Sequence, residues 1–362
     1  MKILVSVFNN LGTDQRVEKV CQTLSENGYE IELLGNNWAG LPPLERNYPF
    51  SRIILKSKIL RFAYVEFQRK LYQELLKKAD QNTILLSNDL DTLLPNYLIS
   101  KKLNIPLVYD SHEIFTEMPA INGRFTQKIW RRLEQWIVPK LKYMMTASES
   151  YADWFHETYR IERPVAVQNF PRKTVNPQDY TESNSKKIIL YQGVINPSRG
   201  LDKMIPAMKF IENAEFWIAG DGPRKEEYFR LTESLGLAHK IKFLGKLPPE
   251  KLRTITPKAD VGLSIEENNG LSYFYSMPNK ISDYIQCRVP VVVSDFPEMR
   301  KVVDVFECGE KIADYSELAD KVNKVLQNGK LFYKDSLNNA ATCLCWEKEE
   351  PKILALFHKI PS

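Results

Sequence analysis

The stretch KIILYQG (Lys187 to Gly193), followed by VINPSRG (Val194 to Gly200), LDKMIPAMKFIEN (Leu201 to Asn213) and AEFWIAG (Ala214 to Gly220), decides the fold. A β-branched run leads into a Gly-containing loop, then a helical pattern, then a second apolar run, which is the opening of a doubly wound α/β unit. The same order stands at the start of the chain. There KILVSVF (Lys2 to Phe8) precedes NNLGTD, QRVEKVCQTLSENG and YEIELLG. Two such openings predict two Rossmann-like halves, each a largely parallel sheet with helices on both faces. Further strands are read at Thr83 to Asn88, Pro106 to Asp110, Lys142 to Ser148, Lys240 to Gly245, Val261 to Ile265 and Val289 to Asp295.

With 362 residues the chain is long enough for two cores of ordinary size. The segment Asn169 to Lys187 is polar, carries two prolines and has no hydrophobic period, so it reads as a linker. This places one domain at 1–171 and the other at 172–345. The last stretch, 346–362, has Ile353, Leu354, Leu356 and Phe357 at helical spacing and should dock back onto the first domain.

Composition excludes several classes. At 43% hydrophobic and 26% charged the chain is neither disordered nor an integral membrane protein, having no apolar run near the roughly 18 residues of a bilayer span. The opening MKILVSVF has no basic stretch, long apolar segment or cleavage site, which predicts a cytoplasmic protein. Five unpaired-looking cysteines (Cys21, Cys287, Cys308, Cys343 and Cys345) fit a reducing compartment. A net charge of +5 is too balanced to imply nucleic acid as a partner.

In open parallel sheets ligands bind beyond the carboxyl ends of the strands. In the first half those loops supply Asn9, Asn10, Asp14, Arg16, Asn88, Asp89, His112 and Glu113, of which Asp14, Arg16, Asp89 and Glu113 are candidate acceptor-binding residues. In the second they supply Gly193, Ser198, Arg199, Gly200, the Gly220-Asp221-Gly222-Pro223 turn, Lys246 and the segment Glu266 to Lys280. Arg199 and Lys280 can carry phosphate charge, while the backbone at Gly200 and at the helix after Pro278 supplies N–H donors. Neither loop is a P-loop or a G-x-G-x-x-G turn, which argues against a nucleotide hydrolase or a nicotinamide dehydrogenase. His112-Glu113 is not a zincin motif, because Thr116 stands where its second histidine belongs.

Six runs in this order resemble the group 1, family 4 glycosyltransferases of the GT-B fold: Asp14-Gln15-Arg16-Val17, Asn88 to Pro95, Tyr109 to Phe115, Arg199-Gly200-Leu201, Ala219 to Pro223, and Pro278-Asn279-Lys280 through Pro290. The resemblance implies two domains facing a central cleft, with the C-terminal helix crossing back to the first. It implies retaining, metal-independent sugar transfer without a cofactor, the co-substrate being a nucleoside diphosphate sugar of UDP or GDP type. The second domain would hold that donor, and the first a glycan or lipid-linked acceptor in polysaccharide or glycoconjugate biosynthesis. By carry-over Gly193, Gly200, Gly220 and Gly222 shape the donor loops, and Arg199 contacts the diphosphate with Lys280 and Asn279 beside it. Asp283 binds the ribose, Lys246 lines the base, and His112 contacts the transferred sugar. His112, Arg199 and Lys280 are thus the expected catalytic residues.

Two departures stand out. Val194 occupies the place where many relatives carry an arginine, and the first of the family's paired glutamates falls on Tyr275. Glu266 or Glu267 could replace that glutamate at the donor sugar. Two alternatives are a nucleotide-sugar epimerase and a non-catalytic sugar-nucleotide binding protein. Asp89-Leu90-Asp91 could hold a metal in a different glycosyltransferase fold, but Asp91 reads better as an N-cap before TLLPNYLISKKL.

Two segments are strongly basic: nine Lys or Arg against two Glu in 46–78, and six against one in 124–142. Phe125, Ile129, Leu133, Ile137 and Leu141 recur there at helical spacing, flanked by Trp130 and Trp136. This suits peripheral contact with an anionic inner membrane face. The simpler expectation is a core-facing helix with a solvated basic face.

Overall fold

The computed structural model describes residues 1–12, 14–174 and 186–361, so most of the expected linker lies outside the described residues. The chain forms two compact units, Met1–Asn169 with Glu349–Ser362, and Phe170–Lys348.

The first unit holds a parallel sheet of seven strands: β1 (Lys2–Ser6), β2 (Glu30–Asn36), β3 (Phe50–Ile53), β4 (Thr83–Asn88), β5 (Leu107–Ser111), β6 (Tyr143–Thr146) and β7 (Val165–Ala166). Their spatial order is β3-β2-β1-β4-β5-β6-β7, with Leu4 opposite both Glu32 and Leu85. The middles of the central strands are continuously apolar because helices cover both faces; Ile3, Leu4, Val5, Leu85 and Leu86 are buried. β3 and β7 are too short to give a period of their own, and pairing with β2 and β6 makes them strands.

The second unit holds six parallel strands: β8 (Lys187–Gln192), β9 (Ala214–Ala219), β10 (Ile241–Gly245), β11 (Val261–Ser264), β12 (Val291–Ser294) and β13 (Gly309–Ile312), in the order β10-β9-β8-β11-β12-β13. Strand order reverses between β1 and β4 in one unit and between β8 and β11 in the other. Loops leaving adjacent strands diverge there, opening a crevice at the carboxyl edge of each sheet.

The helix Trp346–His358 returns to the first unit and includes Pro351. Its Glu349 accepts the Gln168 backbone N–H at 2.9 Å, Glu350 accepts the Thr23 hydroxyl at 3.0 Å, and Phe357 meets Tyr29 edge to face. No helix among the described residues is long and apolar enough to cross a membrane.

Candidate functional site

In the second unit the loop after β8 and the loop after β11 meet at the reversal of strand order. Glu266, two residues beyond β11, is fully buried there. Arg199 Nη1 donates to its Oε2 at 2.6 Å, and Lys280 Nζ donates to its Oε1 at 2.8 Å. Lys280 sits in the first turn of the helix Asn279–Gln286 and lies over the Tyr191 ring at 4.6 Å, while the Arg199 guanidinium lies over Tyr273 at 4.8 Å. Burial alone would raise the Glu266 carboxyl; Lys280 and Arg199 outweigh it and hold the group below the usual carboxylate range. Two cations and one carboxylate leave a net charge of +1, fixed by aromatic faces on two sides.

Glu266 is therefore the hub of this cluster, a role outside the sequence expectation that it might replace the missing glutamate at a donor sugar. Both carboxylate oxygens are engaged by Arg199 and Lys280. Its backbone is pinned as well: Glu266 N–H donates to Ser294 Oγ, and the Ser294 and Tyr315 hydroxyls donate to its carbonyl.

The other second-unit candidates surround this cluster. Gly193 ends β8 with a positive φ, and a Cβ there would lie 3.7 Å from Lys280 Cε. Gly200 combines φ +68° with a would-be Cβ only 2.5 Å from the Ile265 carbonyl, so no other residue fits without moving the loop that carries Arg199. Gly220 and Gly222 pack against the same loop at Gly193 and Ile195. A Gly220→Ala methyl would stand 1.8 Å from the Gly193 carbonyl oxygen. The expected result is a loss of about 1–3 kcal/mol, read as a lower thermal midpoint, with the loop before Arg199 displaced. Asp283 accepts from Gln192 Nε2 at 3.2 Å, and Gln192 in turn accepts from Thr256 Oγ1 at 2.8 Å. Asn279 and Lys246 are exposed, Lys246 directly after Gly245 on the loop leaving β10. Val194 is 57% exposed. Tyr275 closes the short helix Leu271–Phe274.

In the first unit the polar residues at the ends of β1, β4 and β5 form one chain. Arg16 is buried, and its Nε and Nη2 donate to the two Asp110 oxygens at 3.0 and 2.6 Å while Nη1 donates to the Val167 carbonyl. His112 stands between Asp89 (Nδ1 to Oδ2, 3.2 Å) and Asp110 (Nε2 to Oδ2, 3.4 Å). Burial would lower the imidazole pKa, but the two carboxylates outweigh burial and raise it to about 9, so both ring nitrogens carry protons at neutral pH. Burial would likewise raise Asp110; Arg16 and His112 overcome it and hold the carboxyl at about 2. Asp89 also accepts the His112 backbone N–H at 2.8 Å.

Asp14 and Arg16, expected beside an acceptor, both make contacts within the first unit. Asp14 caps the helix Gln15–Glu26 by accepting the Val17 N–H at 3.0 Å, and its second oxygen accepts Asn9 Nδ2 at 2.7 Å. The Arg16 donors are spent on Asp110 and Val167. Glu113 is exposed beside His112.

The N-cap expectation for Asp91 does not hold. The helix begins two residues earlier than expected, at Leu90, with Asp89 at the cap position and a positive φ of 58°. The Asp91 carboxyl is buried, with Oδ1 lacking a hydrogen-bond partner among the described residues. Burial first, then the neighbouring Asp89, pushes its pKa well above the usual range. Asp89 is already engaged by His112, so the two do not form a free metal-binding pair. Among the described residues no group of three His, Cys, Asp or Glu side chains is arranged to hold a metal ion.

Comparison with known proteins agrees with this arrangement. Residues 172–341 match the family "Glycosyl transferases group 1", and residues 12–169 match "Glycosyltransferase Family 4". The chain is 21% identical to the chitobiosyldiphosphodolichol beta-mannosyltransferase of Candida glabrata, over 92% of this chain and 85% of that one. A shorter match, 33% identical over 28% of this chain and 24% of the relative, is to the phosphatidylinositol N-acetylglucosaminyltransferase GPI3 subunit of Saccharomyces cerevisiae. Among solved structures, sucrose-phosphate synthase of Thermosynechococcus elongatus superimposes with a TM-score of 0.79 at 14% identity, over 99% of this chain and 98% of that one. The Anabaena HepE protein in complex with UDP-glucose superimposes with a TM-score of 0.74 at 14% identity, over 99% of this chain and 100% of that one. With two GT-B-type sheets, a cation pair at the edge of the second, and both halves matched in order, this chain belongs to the group 1, family 4 glycosyltransferases.

Proposed function

We propose that this glycosyltransferase moves a sugar from a nucleoside diphosphate sugar, of UDP or GDP type, to a glycan or lipid-linked acceptor with retention of anomeric configuration and without a metal ion. The observation that carries the donor reading is the Arg199 and Lys280 pair on buried Glu266, at the reversal of strand order in the second unit. A diphosphate placed there meets two oriented cations and the N-terminus of the helix Asn279–Gln286. Their positions are set before substrate arrives, so charge developing on the leaving diphosphate is met without reorganisation. Asp283, steadied by Gln192, is the ribose contact, Lys246 lines the donor from an exposed loop and Asn279 from the first turn of its helix. The lipid-linked acceptor draws support from the relatives, whose names specify a diphosphodolichol and a phosphatidylinositol.

Retention is supported by the protonation state of His112. An imidazolium held between two carboxylates, with Nε2 also 3.2 Å from Asn88 Oδ1, is an orienting donor and a poor base, which leaves the departing phosphate to take the acceptor proton on the same face. NMR of the product's anomeric proton tests retention, and an inverted product overturns it.

The donor reading is tested by a thermal-shift panel of UDP, GDP, ADP and their sugar conjugates, with and without magnesium or manganese. A ligand at a hundredfold excess over its Kd should stabilise by about 2.7 kcal/mol. Selective stabilisation by one diphosphate without metal is expected. Stabilisation only with metal, or none across the panel, overturns the reading. Arg199→Ala should abolish that selective stabilisation and lower kcat by about 10²–10³.

A further inference from the structure

The helix Phe125–Ile137 does not bury the apolar stripe that its sequence displays. Phe125 is 75% exposed, Ile129 52% and Trp136 46%. The side facing the core carries Gln127 and Glu134 beside Trp130, Leu133 and Ile137: Gln127 donates to the Thr116 carbonyl at 2.7 Å, and Glu134 Oε2 accepts from Thr116 at 2.9 Å and from Tyr159 at 2.6 Å, while its Oε1 has no hydrogen-bond partner among the described residues. The inner face thus mixes a polar network with Trp130, Leu133 and Ile137, and Phe125, Ile129 and Trp136 are left outward. The expectation of a core-facing stripe is corrected on this point for its first two turns; Ile137, at the far end, is buried.

Positions 125, 128, 129, 132 and 136 share one side of a helix, so Lys128 and Arg132 stand among the exposed apolar residues. Arg124, Lys128 and Arg132 have no ion-pair partner among the described residues, and Lys140 lies over the Trp136 ring at 5.1 Å. The helix Leu60–Lys78 lies beside Phe125–Ile137. Its Tyr64 meets Trp130 edge to face at 5.8 Å, and its first turns expose Phe62 and Val65 beside Arg61.

We propose that this face of the first unit lies flat on an anionic lipid bilayer, with Phe125, Ile129 and Phe62 entering the headgroup boundary and Arg61, Lys128 and Arg132 meeting lipid phosphates. The occupant follows from the interleaving of charge and apolar surface. A protein partner's contact core is depleted of lysine, whereas at a lipid boundary apolar side chains insert while flanking cations remain in the phosphate layer. No helix among the described residues is both long and apolar enough to span, so the contact proposed is in the plane of the surface. Its purpose rests on the lipid-linked acceptor of the proposed function, since the same unit carries the His112 cluster.

The test is co-sedimentation of the full chain with vesicles of phosphatidylcholine alone and of phosphatidylcholine with 30 mol% phosphatidylglycerol, roughly the anionic fraction at which basic surfaces bind. Binding to the anionic vesicles only, weakened by added salt, is expected. Each basic residue at such a surface contributes about fivefold to partitioning, so Lys128→Glu with Arg132→Glu should reduce it at least ~25-fold. Phe125→Ser with Ile129→Ser should reduce binding with the charges intact. Equal binding to both vesicles, no binding, or variants that bind like the parent overturns the proposal. The donor thermal shift, measured on the same variants, should be unchanged and shows that they fold. Vesicle binding without any nucleotide response would leave the surface standing and remove the donor reading instead.

Discussion

Replacing Glu266 with alanine is expected to lower the unfolding free energy by about 3–5 kcal/mol, because it leaves two cations facing one another in a site from which water is largely excluded. Glu266 is buried, and the Lys280 side chain is 9% exposed. Removing the carboxylate costs the Coulombic compensation of both partners while their desolvation remains. Glu266→Gln keeps the shape and one acceptor and should cost less. The two variants separate stability from function. Where Glu266→Gln remains folded, its freed cations should bind inorganic diphosphate more tightly than the parent does, since the competing carboxylate is gone. Chemical denaturation gives the first quantity and a competition thermal shift the second. A folded glutamine variant with unchanged diphosphate affinity would show that Arg199 and Lys280 do not face the donor.

Asp110→Ala should be similarly costly, about 3–5 kcal/mol, by stranding buried Arg16. The Arg16 and Asp110 side chains are 4% and 0% exposed and joined by two hydrogen bonds. The change also releases one side of His112, whose pKa should fall toward its ordinary value of roughly 6.5. The parent's pH dependence follows from the two shifts together. Asp110, depressed to about 2, stabilises the fold above the ordinary aspartate range, and that contribution is lost as pH falls through 2. His112, raised to about 9, stabilises it fully below the ordinary histidine value, and that contribution is lost as pH rises through 9. The difference in stability between parent and Asp110→Ala should therefore be largest near pH 4 to 6 and shrink toward either end. A difference independent of pH would show that Asp110 acts by packing alone.

Much of this architecture is legible without coordinates. The strands at 83–88, 187–192 and 214–219 fall where β-branched runs end at polar or glycine residues. Burial on both faces of a parallel sheet makes such runs continuously apolar, a strong local signal. The strands Phe50–Ile53 and Gly309–Ile312 escaped because charged residues interrupt FSRI and GEKI, and Val165–Ala166 because two residues carry no period; edge pairing defines all three. The cationic candidates Arg199 and Lys280 were also legible, since both follow glycine or proline punctuation at a strand's carboxyl end. What joins them was not. Glu266 lies 67 residues from Arg199, and only the adjacency of β8 and β11 brings the two together.

The sequence by itself determined two doubly wound units, the sheet edges at which chemistry can occur and the residue types available there, because hydrophobic period and turn residues act over a few positions along the chain. Tertiary structure alone decided what those residues are bonded to. It turned Arg16 inward onto Asp110, set His112 between two carboxylates, left Asp91 short of a partner and made Glu266 the hub of the cation pair. It also turned Phe125 and Ile129 outward, because the polar network of Gln127, Thr116 and Glu134 occupies the inner face together with Trp130, Leu133 and Ile137. These outcomes depend on strand order and on the desolvation of charges from distant segments, and neither has a local signature in the chain.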